Sequence, residues 1–193
     1  MYDRSVWLEE VDLGLKTLIN SIVKYPDLNG VPVPVEPIFP LDSADLKDLE
    51  LPTVIIHHLG ETFDMYRYNP NHQEIVVGYN EEKSLAYIEP LAKPYTLHYQ
   101  LDFVSEYKED MNLMLKLWHG NISKRYNLPV VSAEGEKTTC YMYLVQPPKT
   151  LNQQKGDKKL YRTVFLYDIK VELDIGTRRE SKVAINVNLD INR

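Results

Sequence analysis

From Tyr161 to Ile175 the chain alternates almost without a break. Tyr161, Phe165, Tyr167, Ile169, Val171, Leu173 and Ile175 hold every odd position except Thr163, and Asp168, Lys170, Glu172 and Asp174 hold the even positions from 168 onward. That pattern is a β-strand with one apolar face. Residues 161–175 would make a strand of roughly 50 Å, where strands usually run about 3–10 residues. Such a strand either bends at a bulge or runs beyond the body toward a neighbour. Gly176-Thr177-Arg178-Arg179 turns the chain, and Val183, Ile185, Val187, Leu189 and Ile191 then alternate with Ala184, Asn186, Asn188 and Asp190. Pairing within the subunit is the favoured place for this last strand, because sequential strands usually pair. The alternative is donation to the exposed sheet edge of a neighbour.

Further strands are expected upstream. Val54-Ile55-Ile56, inside Leu51–Leu59, is dense enough for a strand buried on both faces. Phe63 and Met65, the turn signal Asn69-Pro70-Asn71 and the return from Glu74 to Tyr79 suggest a hairpin, with Leu85–Ile88 as a short edge strand. Tyr95, Leu97, Tyr99, Leu101 and Phe103 alternate with Thr96, His98, Gln100 and Asp102, a strand with one apolar face. Thr138–Gln146 starts the final β region.

Two segments are helical. Trp7, Val11, Leu15, Leu18 and Ile22 share one helix face, with Asp3 or Ser5 as a cap and Pro26 as the stop. Met111, Leu115, Trp118 and Ile122 predict a second helix over about 108–125, ended by Asn127 and Pro129. Between the first helix and the strands, residues 26–52 hold six of the twelve prolines. This stretch reads as an ordered extended connection anchored by Val33, Val35, Ile38 and Phe39, with one helical turn near Asp42–Leu49. The order of elements predicts one α+β domain over 1–193: a mainly antiparallel or mixed sheet, two amphipathic helices, a long β-hairpin and a C-terminal strand.

Chemistry leaves little trace. The single cysteine, Cys140, excludes an internal disulfide and a multi-cysteine zinc site, and its apolar strand makes it a core residue. His57 and His58 are strand neighbours pointing to opposite faces, and no histidine spacing builds a metal site. The eight glycines form no phosphate-binding loop, and no Gly-x-Ser-x-Gly elbow occurs. No catalytic residue, cofactor or metal is therefore expected. No apolar run approaches a membrane span, and Met1-Tyr2-Asp3-Arg4 lacks a basic region followed by an apolar stretch, so no secretory leader is expected.

Composition points to association instead. Fourteen of the twenty aromatic residues are Tyr, which suits surfaces that become buried in an assembly. The net charge of −6 is uneven. Residues 1–96 hold 7 basic and 16 acidic residues, a net −9, whereas residues 97–193 hold 15 and 12, a net +3. Such a division suits subunits meeting head to tail, or opposite faces with different partners. Lys149, Lys155, Lys158 and Lys159 in the polar loop 147–159 are candidate phosphate contacts, although a hairpin tip in water is the favoured reading. Tyr161, Phe165 and Tyr167, with Val183, Ile185, Val187, Leu189 and Ile191, form the candidate intersubunit or partner interface.

Residues 94–103, Pro94-Tyr95-Thr96-Leu97-His98-Tyr99-Gln100-Leu101-Asp102-Phe103, followed by Asp110-Met111-Asn112-Leu113-Met114-Leu115, resemble the strand-then-helix core of phage tail terminator proteins. These are similar to the cap proteins of contractile injection systems. The N-terminal helix, the Pro-rich stretch and the long hairpin over 137–175 fit the same order. The resemblance implies a structural virion protein made in the host cytoplasm. It implies a homo-hexameric ring that caps the tail tube, ends tail growth and joins the tail to the neck or head-completion protein. It further implies contact with the sheath in contractile tails, DNA passing through the lumen, and no catalytic residue. Another neck or head–tail connector ring is the alternative, and a small soluble enzyme using His98, His119 and Cys140 is a more distant one.

Overall fold

The computed structural model describes residues 8–27, 29–40, 50–68, 74–80, 85–90, 92–131, 137–151, 153–155, 158–173 and 179–182. The chain runs α1 (Leu8–Ile22), β1 (Lys24–Pro26), β2 (Pro32–Pro34), β3 (Pro37–Ile38), β4 (Thr53–Phe63), β5 (Glu74–Asn80), β6 (Leu85–Pro90), β7 (Lys93–Ser105) and α2 (Lys108–Asn121). It continues through β8 (Arg125–Val131), β9 (Lys137–Leu144), β10 (Lys149–Thr150), β11 (Gln153–Lys155), β12 (Lys158–Leu173) and β13 (Arg179–Lys182). The fold is α+β, as the pattern of elements requires.

The main sheet has the order β3-β4-β7-β12-β9-β8, with β10 and β11 also on β12. All its pairings are antiparallel except β3 with β4, so the sheet is mixed. Its centre is β7 and β12, paired from Tyr161↔Ser105 to Leu173↔Lys93 without a register shift. The long alternating strand therefore has no bulge against β7 and stays within the sheet over this span. A second strand of almost equal length lies beside it.

Alternation decides which face each side chain takes. Leu97, Tyr99, Leu101 and Phe103 of β7 lie on one face with Phe165, Tyr167, Ile169 and Val171 of β12, and all are buried. Both helices cover this face. Val11, Leu15, Leu18 and Ile19 of α1 and Met111, Met114 and Trp118 of α2 join the same core. Fully burying one such side chain contributes about 1.5–3 kcal/mol, so this face holds the fold together. Trp118 sits at its centre, 5.5 Å from Phe103 and 6.4 Å from Phe165 between ring centroids. Its Nε1–H donates to the Tyr167 hydroxyl at 2.9 Å, so no polar atom of the indole is stranded. Gly14 of α1 faces β8 so closely that a Cβ there would meet the Pro129 carbonyl oxygen at 3.1 Å.

Several expectations change. The first helix ends at Ile22, and Pro26 already lies in β1, antiparallel to β2. The Pro-rich segment thus forms a two-stranded ribbon, with prolines where no sheet donor is needed. Its turn is closed by the Asp27 carboxylate, which accepts from the backbone N–H of Asn29 and Val31. Of the four anchors, Val35 is buried while Phe39 remains 39% exposed.

The hairpin expected over 63–79 does not form, because β4 pairs along its length with β7 and β5 pairs with β6. Strand β6 is not an edge but the middle of a second sheet, β13-β6-β5. The second helix stops at Asn121. Asn127 and Pro129 lie in β8, a strand the proline obscured, and this edge position is where a sheet tolerates proline. The polar loop 147–159 is partly sheet, since β10 and β11 both pair with β12. The helix caps Asp3 and Ser5, Trp7, the turn at 42–49, Asn69-Pro70-Asn71 and the turn at 176–178 lie outside the described residues.

Candidate interaction surface

The other face of the main sheet carries no helix among the described residues. It is built by the residues of opposite parity: Thr62 of β4, Thr96, His98, Gln100 and Asp102 of β7, Arg162, Asp168 and Lys170 of β12, and Tyr141 and Tyr143 of β9. Register brings them together. His98 stands opposite Asp168, which stands opposite Tyr143, and Lys170 stands between Thr96 and Tyr141.

Two hydrogen-bonded groups organise this face. In the first, His98 Nδ1 lies 2.7 Å from Asp168 Oδ1 and Nε2 lies 2.8 Å from Thr62 Oγ1. The carboxylate accepts only, so Nδ1–H donates to it. In the neutral ring Nε2 then accepts from the Thr62 hydroxyl. Side chains of His98 and Asp168 are each about one-third exposed, at 37% and 34%, which leaves the row open to a partner.

In the second group Asp102 is only 1% exposed and its charge is fully engaged. Arg162 Nη2 donates to Oδ2 at 2.5 Å and Gln100 Nε2 donates to Oδ1 at 2.9 Å. His57 Nε2 stands 3.2 Å from Oδ2, within ion-pair distance but without a hydrogen bond. A carboxylate this deep is tolerated only with such partners. Beyond Asp168, the Tyr143 ring lies under both Lys170 Nζ, at 5.6 Å, and Arg125, at 5.8 Å. Tyr141 is half exposed.

Threonine, histidine and carboxylate in a row have the composition of an activated hydroxyl. Acyl chemistry also needs donors aimed at a developing oxyanion and a cleft to hold the substrate. Thr62, His98 and Asp168 line none of the three prominent cavities. One of about 380 Å³ opens between the end of α2 and the β9–β10 connection, lined by His119, Ile122, Leu144, Pro148, Phe165 and Tyr167. The other two, of about 370 and 530 Å³, flank β1 and the segment around Pro52. What the face offers is a mixture of tyrosine, histidine and paired charges, partly open to solvent.

The sequence-expected site residues fall in three places. Phe165 and Tyr167 are 1% and 3% exposed in the core beneath α2, so they have no area to give a partner; their interface assignment is corrected to a packing role. Tyr161 is half-buried at the other end of the strand, under Lys159 Nζ at 5.2 Å. Lys149 is exposed in β10, and the backbones of Lys155 and Lys158 pair with each other across β11 and β12. Val183, Ile185, Val187, Leu189 and Ile191 lie outside the described residues.

The histidines and cysteine of the enzyme alternative are not brought together. His98 is on the helix-free face, His119 packs on Phe165 at 5.5 Å on the other, and Cys140 is buried in β9. Burial pushes the Cys140 thiol up to about 12, so it is not a thiolate near neutral pH. Thr62, Asp102, Arg162 and Asp168 were visible only as polar members of alternating strands. Their pairing requires the cross-strand register, which no single strand encodes.

No family model matches the chain, and no curated protein matches it. No described helix is long and apolar enough to cross a membrane.

Proposed function

We propose that the protein is a structural subunit of a ring that caps a phage-type tail tube, ends its growth and presents a surface to the neck or head-completion protein. The observation that carries this reading is the broad helix-free face of the main sheet, with its exposed tyrosine and its paired charges. It is a surface built to be covered, on a chain whose chemistry is otherwise spent on packing. The resemblance of residues 94–115 to tail terminators supplies the kind of assembly, and the −9 and +3 halves of the chain supply opposite charges for a head-to-tail contact. The ring is a homo-hexamer in the virion tail, with the tube protein and, in contractile tails, the sheath as further partners. Its net negative charge keeps DNA from adhering during passage.

The test is to add purified chain to polymerising tail-tube protein and examine the tubes by electron microscopy. Rings at tube ends and arrested growth are expected. Tubes that lengthen unchanged and bear no terminal ring overturn the reading.

A further inference from the structure

The cavity at the end of α2 differs from the other two in charge. Those are lined by carboxylates: Asp27, Glu106 and Asp110 in one, Glu36 and Glu50 in the other. The third, of about 380 Å³, is lined by none, and its ionisable side chains are His119, Lys124 and Tyr167. That volume lies in the range of small-molecule sites. The chain's own course opens it. Helix α2 closes with the Ile122 N–H bonded to the Trp118 carbonyl at 2.7 Å, and the backbone then becomes extended. Across from it Pro147 and Pro148, which have no N–H to give a ladder, separate β9 from β10. Ile122, Phe165 and Tyr167 are buried and give the cavity an apolar interior. Lys124 and His119 are exposed and form its rim, with the His119 ring 5.5 Å from that of Phe165. No ion pair among the described residues holds either of them. The Tyr167 hydroxyl accepts from Trp118 and keeps its own O–H to donate.

We propose that this cavity binds a small organic carboxylate with an apolar body. The body packs on Phe165 and Ile122, and the carboxylate stands at the rim beside Lys124 and His119. Charge selects this class. A cationic ligand would face Lys124 with no carboxylate to offset the repulsion, and a neutral one would leave the ammonium without a counter-charge. Backbone bonding selects a compact ligand over an extended peptide. A peptide adding along this wall would need free main-chain groups. The Leu144 N–H already donates to the Lys124 carbonyl and the Val145 N–H to the Leu166 carbonyl, both at 2.9 Å, and the two prolines follow. The cavity lies on the helix-covered side of the main sheet, so it is separate from the face assigned to the ring contact.

Phenylbutyrate, an aromatic body with one carboxylate, is the probe, titrated into the full-length protein by calorimetry and methyl NMR. A dissociation constant below about 1 mM is expected, with shifts centred on the methyl groups of Ile122 and Leu144. Phenylbutyramide has the same body without the charge and should bind about tenfold more weakly. Lys124→Glu changes an exposed side chain; it should weaken phenylbutyrate about tenfold and leave the amide unchanged. No binding up to about 10 mM overturns the site, as do shifts centred away from Ile122 and Leu144. Amide and carboxylate binding equally well, or Lys124→Glu binding phenylbutyrate as the parent does, overturns the assignment of an anionic ligand.

Discussion

On one face of β7, Leu97, Tyr99, Leu101 and Phe103 are at most 1% exposed beneath two helices; on the other, Thr96, His98 and Gln100 are only half-buried, and His98 bonds across the sheet to Thr62 and Asp168. The same strand thus presents two surfaces with different energetics. The helix-covered face is stabilised by excluded water and close packing, and a defect there leaves a cavity. The helix-free face is held by polar pairs whose alternative is water, so most of them contribute little to folding and remain available for binding. Asp102 is the exception, because it is a charge on the second face with the burial of the first.

Substitutions should separate the two faces. Trp118→Ala, or Phe103→Ala, should cost about 3–5 kcal/mol in urea unfolding; a loss under about 1 kcal/mol would mean that the helices do not pack there. Asp102→Ala should cost about 3 kcal/mol, because Arg162 loses its counter-charge, and Arg162→Met in the same chain should recover part of it. Equal losses in the single and double variants would break that account.

Alkali probes the buried face. Burial pushes the Tyr167 hydroxyl up to about 12 although the Trp118 N–H bond opposes the shift, and burial does the same for Cys140. The unfolded chain releases these protons near 10 and 9, so between 9 and 12 the folded state holds more protons and stability falls as pH rises. Burial and the nearby Asp12 raise Tyr99 in the same direction. The decline should begin near pH 9 at about 1.4 kcal/mol per unit, and Cys140→Ala should delay its onset toward 10. A flat profile from 9 to 11 would contradict the burial of both groups.

Tyr167→Phe should cost about 1 kcal/mol by leaving the Trp118 N–H without its acceptor. The smallest effect is expected from His98→Ala, under about 1 kcal/mol in folding, with a measurable loss of ring formation at low protein concentration. A folding loss as large as that of Asp102→Ala would show the two faces to be equally structural.

Much of this comparison was legible in the sequence. The parity of Tyr95–Phe103 and of Tyr161–Leu173 marked the apolar face residue by residue, because a strand's side-chain period is two and burial follows it. The helix around Val11, Leu15 and Leu18 was equally plain. What stayed hidden depends on partners far apart in the chain. Phe165 and Tyr167 carried the same signal whether α2 or another subunit covered them, and only the fold decides. Pro129 disguised β8, because the residue that breaks a helix is also allowed at a sheet edge. The bond of His98 to both Asp168 and Thr62 joins residues 70 and 36 positions apart, beyond any local pattern.

The last pair joining β4 to β7 is Phe63↔Tyr95, and just beyond it the Asp64 N–H donates to the Pro94 carbonyl at 2.9 Å. Two strands so closed need a connection of only about two residues, so β5 and β6 are an insertion within a tight turn. Lengthening such a connection costs little, and nothing in the register of the central strands depends on it. This part of the molecule is free to diverge while the core stays constant. Because β13 is its third strand, residues 179–182 must change in step with it.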